Sequence, residues 1–176
     1  MTLKKTVITG LTTLALSPVA AALGNGILTT QVVHADTITA NTQQSNNDET
    51  KTFFTNEELF DVLEAKGYNV KSILGEKEYQ AALTQDLMRN GGTYVSTNSH
   101  GFTLYVNSAL VKIAAYGGAG AISYALSTVL VAAGHPLVAA TAATIITNAA
   151  GNNKACERGI YIRFSNKGNP ITWGCQ

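Results

Sequence analysis

Ile113–Asn153, IAAYGGAGAISYALSTVLVAAGHPLVAATAATIITNAAGNN, carries no formal charge, and its reading decides the fold. It lies between Lys112 and Lys154 and consists almost wholly of Ala, Ile, Val, Leu, Gly, Ser and Thr, interrupted near its middle by Gly134-His135-Pro136. A helix-competent, uncharged run of this length has two physical uses. It is the buried centre of a helical domain, or a pair of helices able to enter a membrane. With Ser108 as N-cap, a first helix spans residues 109–133, about 37 Å long and enough for a bilayer core of ~30 Å. A second spans residues 136–149, about 21 Å. Gly134 ends the first and Pro136 opens the second, so residues 109–149 read as an antiparallel helical hairpin. Gly117, Ala121 and Ala125 lie four apart on one face of the first helix, and Ala139, Ala143 and Ala150 are similarly disposed on the second. Small residues at this spacing let two backbones approach closely. Gly117, Gly118 and Gly120 cost a helix about 1 kcal/mol each relative to Ala, more than packing requires, and mark a kink. Gly117, Gly118, Gly120, Ala121, Ile122 and, in the tail, Trp173 are the candidate membrane-insertion residues.

After this run, Cys156 and Cys175 are the only cysteines, a pair with one possible connectivity, and read as a disulfide in a secreted chain. Ile160, Ile162 and Phe164 alternate with Tyr161, Arg163 and Ser165. Ile171 and Trp173 alternate beyond a turn at residues 166–170. The expectation is a hairpin closed at its base, residues 156–175. A lone hairpin is marginal in water, so it either pairs with residues 93–107 or packs on a helix. Trp173, beside Tyr161 and Arg163, either anchors the tail at a membrane interface or fills the core.

Before the run, Thr55-Asn56-Glu57-Glu58 has the capping-box pattern, with Phe54 and Leu59 placed as a hydrophobic staple. A helix follows from Asn56 to about Lys66 and stops at Gly67. A second covers residues 76–89, with Tyr79, Leu83 and Leu87 on one stripe. Residues 93–97 and 102–107 alternate about the turn Asn98-Ser99-His100-Gly101 and read as a short β-hairpin. Residues 36–51, DTITANTQQSNNDETK, are polar and read as a disordered leader. Met1–Lys5 is basic, residues 6–33 are apolar and free of charge, and Val33-His34-Ala35 precedes Asp36. This is the layout of a secretory signal peptide, residues 1–35. It predicts a secreted, extracellular protein whose residues 52–176 form one small domain.

Charge divides unevenly. Residues 36–100 hold ten acidic and five basic residues, a net of −5, and residues 101–176 hold one acidic and five basic, a net of +4. The C-terminal half suits an anionic lipid membrane or cell-wall polymer as partner, or simply a solvated rim that pairs with the acidic half. No basic cluster with interleaved aromatics points to nucleic acid. There is no nucleophile elbow, zinc helix, phosphate loop or Cys-x-x-Cys. His100 has no second ligand at metal spacing, and Ser96, Ser99 and His100 lack an acidic orienter. No catalytic, cofactor or metal residues are therefore expected, and the protein reads as a non-enzyme.

A secretion signal, polar leader, Ala/Gly-rich hairpin and disulfide-closed aromatic tail together resemble secreted bacteriocin-like proteins of Gram-positive bacteria. The apolar hairpin is similar in design to the insertion hairpin of pore-forming colicins. The match is one of layout: the Tyr-Gly-Asn-Gly-Val box and double-glycine leader of peptide bacteriocins are missing, and no functional residue carries over. The resemblance implies a protein that perturbs target membranes by inserting the hairpin, with self-association in the membrane. The alternative is a non-enzymatic secreted or cell-surface binding module whose hairpin stays in the core, and a hydrolase built around His100 ranks last. The expected fold is α+β and mainly helical, with amphipathic helices around the apolar hairpin and short β-hairpins beside it.

Overall fold

The computed structural model describes residues 27–30, 40–45, 49–88, 92–152, 156 and 158–176. Among them, seven strands form one antiparallel sheet in simple chain order: β1 (Ile27–Thr30), β2 (Ala40–Ser45), β3 (Glu49–Phe54), β4 (Thr93–Asn98), β5 (Gly101–Asn107), β6 (Gly159–Ser165) and β7 (Pro170–Cys175). Two helical excursions interrupt this meander. Between β3 and β4 run α1 (Asn56–Ala65), α2 (Val70–Leu74) and α3 (Glu76–Met88). Between β5 and β6 run α4 (Ser108–Tyr116), α5 (Gly118–Ala132), a 3-10 turn (Pro136–Val138) and α6 (Ala139–Asn152).

The expectation of short β-hairpins standing beside the helices is therefore overturned by one continuous sheet, although helices still hold more residues than strands, and of the two placements expected for the C-terminal hairpin, pairing with residues 93–107 is the one that forms. β5 pairs with β6 from Gly101↔Ser165 to Asn107↔Gly159, which fuses the two hairpins into one sheet. Isolated hairpins expose unpaired edges, and pairing them satisfies both rows of backbone groups at once. Residues 36–51 are also corrected. Their described part is not a disordered leader: residues 40–45 are β2 and residues 49–51 begin β3, in register with β4 through Thr52↔Val95 and Phe53↔Tyr94. Polar composition hid these strands, because their stability comes from the ladder and from Phe53 and Phe54 at the end of β3, not from an apolar face of their own. The basic start of the chain and the cleavage motif before Asp36 lie outside the described residues, whereas Ile27–Thr30 pairs with β2.

Strand alternation defines the layers. Phe54, Val95, Phe102, Leu104, Val106, Ile160, Ile162 and Phe164 face the helices and are buried with Leu59, Phe60, Leu63, Leu110, Ile113, Ile122, Leu126, Leu130 and Ile146 in one cluster. The capping box at Thr55 forms as its sequence predicts. A buried polar joint ties the helices together. The Asn56 amide donates to Ala82 O at 2.8 Å and to Asp86 Oδ1 at 3.0 Å, and its Oδ1 accepts from Asn107 Nδ2. Asp86 also accepts from the Asn56 and Glu57 backbone N–H groups, and Asn107 Oδ1 caps α4 through Leu110 N. Asn107, not Ser108, is thus the N-cap of α4.

Replacing Asn56 by Ala removes this joint and leaves the buried Asn107 Nδ2 group without its partner. The expected loss is about 2–4 kcal/mol, from the cost of unsatisfied buried polar groups, read as a lower urea midpoint with an unchanged slope.

Candidate functional site

The uncharged run does not form the long hairpin expected over residues 109–149. It breaks at Gly117 and Gly118 into α4 and α5, and α6 packs back on both. Gly118 takes φ +81°, a left-handed conformation that side chains with a Cβ avoid, and this ends one helix and starts the next. At 15 and 14 residues, α5 and α6 are each about 21–23 Å long, short of a ~30 Å hydrocarbon core. No helix of the described residues is long and apolar enough to cross a membrane.

The candidate insertion residues are not brought together on one surface. Ala121 and Ile122 are fully buried in the core cluster. Gly118 and Gly120 are exposed, and a Cβ at Gly120 would meet the Tyr68 hydroxyl at 2.9 Å. Gly117 is half-buried, beside Ile73. Trp173 lies on the edge strand opposite Ile162, on the helix-bearing side of the sheet, and is 45% exposed, so it does not fill the core.

The exposed side of α5 and α6 is the unusual surface. Ala119, Val131, Ala132, Ala140, Thr141, Thr144 and Asn148 face solvent without a charge among them. By contrast, α1 presents Glu57, Asp61 and Glu64 outward. Soluble surface helices normally carry charge on that face. Three of the six Ser and Thr hydroxyls of the pair are turned back on their own backbone: Ser127 Oγ donates to Ser123 O at 2.8 Å, Thr128 Oγ1 to Tyr124 O at 3.1 Å, and Thr144 Oγ1 to Ala140 O at 2.9 Å. Side chains bonded this way make little demand on water. Thr147 Oγ1, buried beside the small-residue groove between α5 and α6, has no partner among the described residues. One charge reaches the pair from outside, Lys66 Nζ, 5.0 Å from the centre of the Tyr124 ring.

Each end of this layer is held differently. α5 closes with a Schellman motif, in which His135 N–H bonds Leu130 O, Gly134 N–H bonds Val131 O and Gly134 sits at φ +81°. The motif delivers His135 onto the sheet, where its ring stacks on Phe102 at 3.8 Å between centroids and its Nε2 lies 3.2 Å from Thr97 Oγ1. Burial holds the His135 pKa below the ordinary histidine value. At the other end, Cys156 is bonded to Cys175 with Cα atoms 4.8 Å apart, which stitches the end of α6 to β7. This bond is compatible with an oxidising, extracellular setting.

The face of the sheet away from the helices carries a feature the sequence reading missed. Phe53, Tyr94, Tyr105 and Tyr161 stand in one row across four strands, with ring centroids 5.3, 4.3 and 6.3 Å apart. Lys51, Ser96, Thr103, Arg163 and Thr172 form the neighbouring row. Desolvation, with Tyr105 beside it, pushes the Tyr94 hydroxyl up to about 12. The signal was present in the alternation of both hairpins, but the row needs β3 to pair with β4, which adds Phe53, and β5 to pair with β6, which adds Tyr161. His100 is exposed in the β4–β5 turn with Ser99 Oγ 3.0 Å from its Nδ1, whereas Ser96 bonds Glu49 on the sheet, so these three residues do not assemble into a catalytic group. No group of three or more metal-ligating side chains is found among the described residues.

No family model, curated protein or solved structure matches this chain.

Two outcomes test this geometry. Replacing Cys156 and Cys175 together by Ser lowers stability by about 3 kcal/mol, the loss expected for a loop of this length, measured by urea unfolding. The untreated protein shows the mass of the bonded form and no free thiol. Gly118→Ala costs about 1 kcal/mol because of its left-handed backbone, and a neutral or stabilising effect refutes the helix break.

Proposed function

We propose that this is a secreted, non-enzymatic protein of bacteriocin-like type that perturbs anionic membranes by seating its α5–α6 pair in lipid. The observation that carries the reading is the outward face of that pair, which lacks charge and on which Thr144 turns its hydroxyl back onto the helix, as Ser127 and Thr128 do at its margin. Such a face loses little on leaving water. The length of the helices favours shallow seating in one leaflet over a full crossing. The cationic C-terminal half supports attraction to an anionic surface. The groove lined by Ala119, Ser123, Ala143 and Thr144 supports close approach of a second copy once in lipid. The disulfide and the signal-like start of the chain support an extracellular site of action.

The test is release of a trapped dye from vesicles of phosphatidylcholine and phosphatidylglycerol. The wild-type protein releases dye at micromolar concentration. Ala140→Glu places a carboxylate on the exposed first turn of α6, where the helix dipole tolerates it, and lowers release at least about tenfold, the penalty of burying one charge, with an unchanged urea midpoint. Absence of release by the wild type, or equal release by the variant, overturns the reading. A charge at Ala121 is no test, because that fully buried position would unfold the protein.

The open sheet face favours a second reading, a binding module for anionic wall polymer. Its tyrosine rims, Arg163 and Lys51 line one uncovered surface. On that reading the protein co-sediments with purified cell walls, and Arg163→Ala weakens this without affecting dye release.

A further inference from the structure

Residues 108–158 leave the sheet at Asn107 and return at Gly159, and these two residues are partners in the β5–β6 ladder. That base is fixed several times over. The disulfide joins Cys156 to Cys175, the Gln176 N–H donates to Gly159 O, and the Gln176 side-chain amide donates to Val106 O and Ile160 O, both at 3.1 Å. The opposite end is the Gly134-His135-Pro136 corner. It meets the sheet where Thr97 and Phe102 are cross-strand partners, and there a single side chain, His135, makes both the stack and the polar contact. Phe102 stacks in turn on Phe164 at 4.8 Å. On either side of the corner the surface is apolar and exposed: Val131 at 61% and Leu137 at 95%. One end is stapled covalently, and the other is held without a covalent bond, by the His135 ring and by the buried Val138 side chain beside Gly168 of the β6–β7 turn.

We propose that His135 is a proton-operated latch: the neutral ring holds the α5–α6 corner on Thr97 and Phe102, and the imidazolium leaves that seat, so that the corner swings out from its stapled base and offers Val131 and Leu137 to an anionic lipid surface.

The surroundings of the ring give this its direction. α5, the 3-10 turn and α6 carry no charged side chain. On the strands beneath, Glu49, Lys51, Arg163, Tyr94, Tyr105 and Tyr161 belong to the opposite face of the sheet. His100 and Lys167 sit exposed in the turns at the same end, and both are groups that repel a cation when charged. No carboxylate faces the ring from these elements. Among the described residues an imidazolium there has no counter-ion, and it is desolvated. Attraction to the Phe102 face opposes this, and burial prevails, as the lowered pKa of the group indicates. The sign follows. The closed form resists protonation and the open form titrates freely, so the latch is indifferent to pH above about 6.5 and weakens as pH falls below it, until the lower closed-state pKa is passed. The swing therefore belongs to mildly acid conditions. The lipid step rests on the membrane reading above, whereas the latch itself does not.

Amide hydrogen exchange on the full chain, corrected for intrinsic rates, measures the latch without lipid. Protection of residues 131–139 falls about twofold or more between pH 7.5 and pH 5, while protection of β5 and β6 does not. His135→Phe keeps a stacking ring without a proton site, and His135→Gln keeps a hydrogen-bonding group. In whichever of the two is folded, protection at the corner becomes independent of pH. Unchanged protection in the wild type, or the same fall in a folded variant, overturns the latch. Dye release from the phosphatidylglycerol vesicles at the two pH values is the companion measurement. Acid-stimulated release that His135→Gln abolishes completes the proposal. A corner that opens in acid without any release leaves the latch standing and overturns the membrane reading.

Discussion

The pairing of β5 with β6 is the constraint on which the rest depends. It brings together the two strands that flank the uncharged helices, so the whole apolar excursion starts and ends at neighbouring residues, Asn107 and Gly159. The helices then have one place to go, the face of the sheet lined by Leu104, Val106, Ile160 and Ile162. The same pairing aligns Tyr105 with Tyr161 and Phe102 with Phe164, building an aromatic row on one side of the sheet and a stacked seat for the helical corner on the other. Removing this ladder would split the sheet into β1–β5 and a lone, marginal β6–β7 hairpin, and would reduce the surface the apolar segment covers.

Within that frame, the two excursions differ in kind. The first is an ordinary amphipathic layer, with a capping box at Thr55, acidic residues outward and apolar residues inward. The second is apolar inward and merely neutral outward. The buried joint of Asn56, Asp86 and Asn107 couples them at one end, and the salt bridge from Lys112 to Glu78 does so at the surface. The hydrogen bond to Lys112 holds the Glu78 carboxyl below its usual pKa, although an exposed pair of this type adds little stability. The apolar layer is thus anchored to charged structure at its beginning and is charge-free everywhere beyond it.

What was legible in the chain was local. Thr55 with Glu58, the turn at residues 98–101, the alternation from Ile160 to Phe164, and the single cysteine pair all announce themselves within a few residues, because caps, turns and strands are short-range devices. The errors are all non-local. A polar strand such as ANTQQS has no periodicity of its own and is made by its neighbour. Ser108 looked like the cap, but Asn107 holds that position because Asn56, far away in sequence, fixes its side chain. The Gly117–Gly118 pair was legible as a kink, yet its consequence, two short helices in place of one long one, depends on α6 folding back over both. His135 read as a turn residue, and nothing near it in sequence indicates that Phe102 lies beneath it.

The order of the elements along the chain adds a consequence for biogenesis. β7 and Cys175 follow the uncharged helices, so a nascent chain completes those helices before the strand and the sulfur that secure their far boundary exist. At that stage the apolar side chains already in place to receive them are Phe54, Val95, Phe102, Leu104 and Val106 of β3–β5, with α1–α3 beside them. The helices therefore come off the ribosome after the sheet face they cover and before the bond that closes them in.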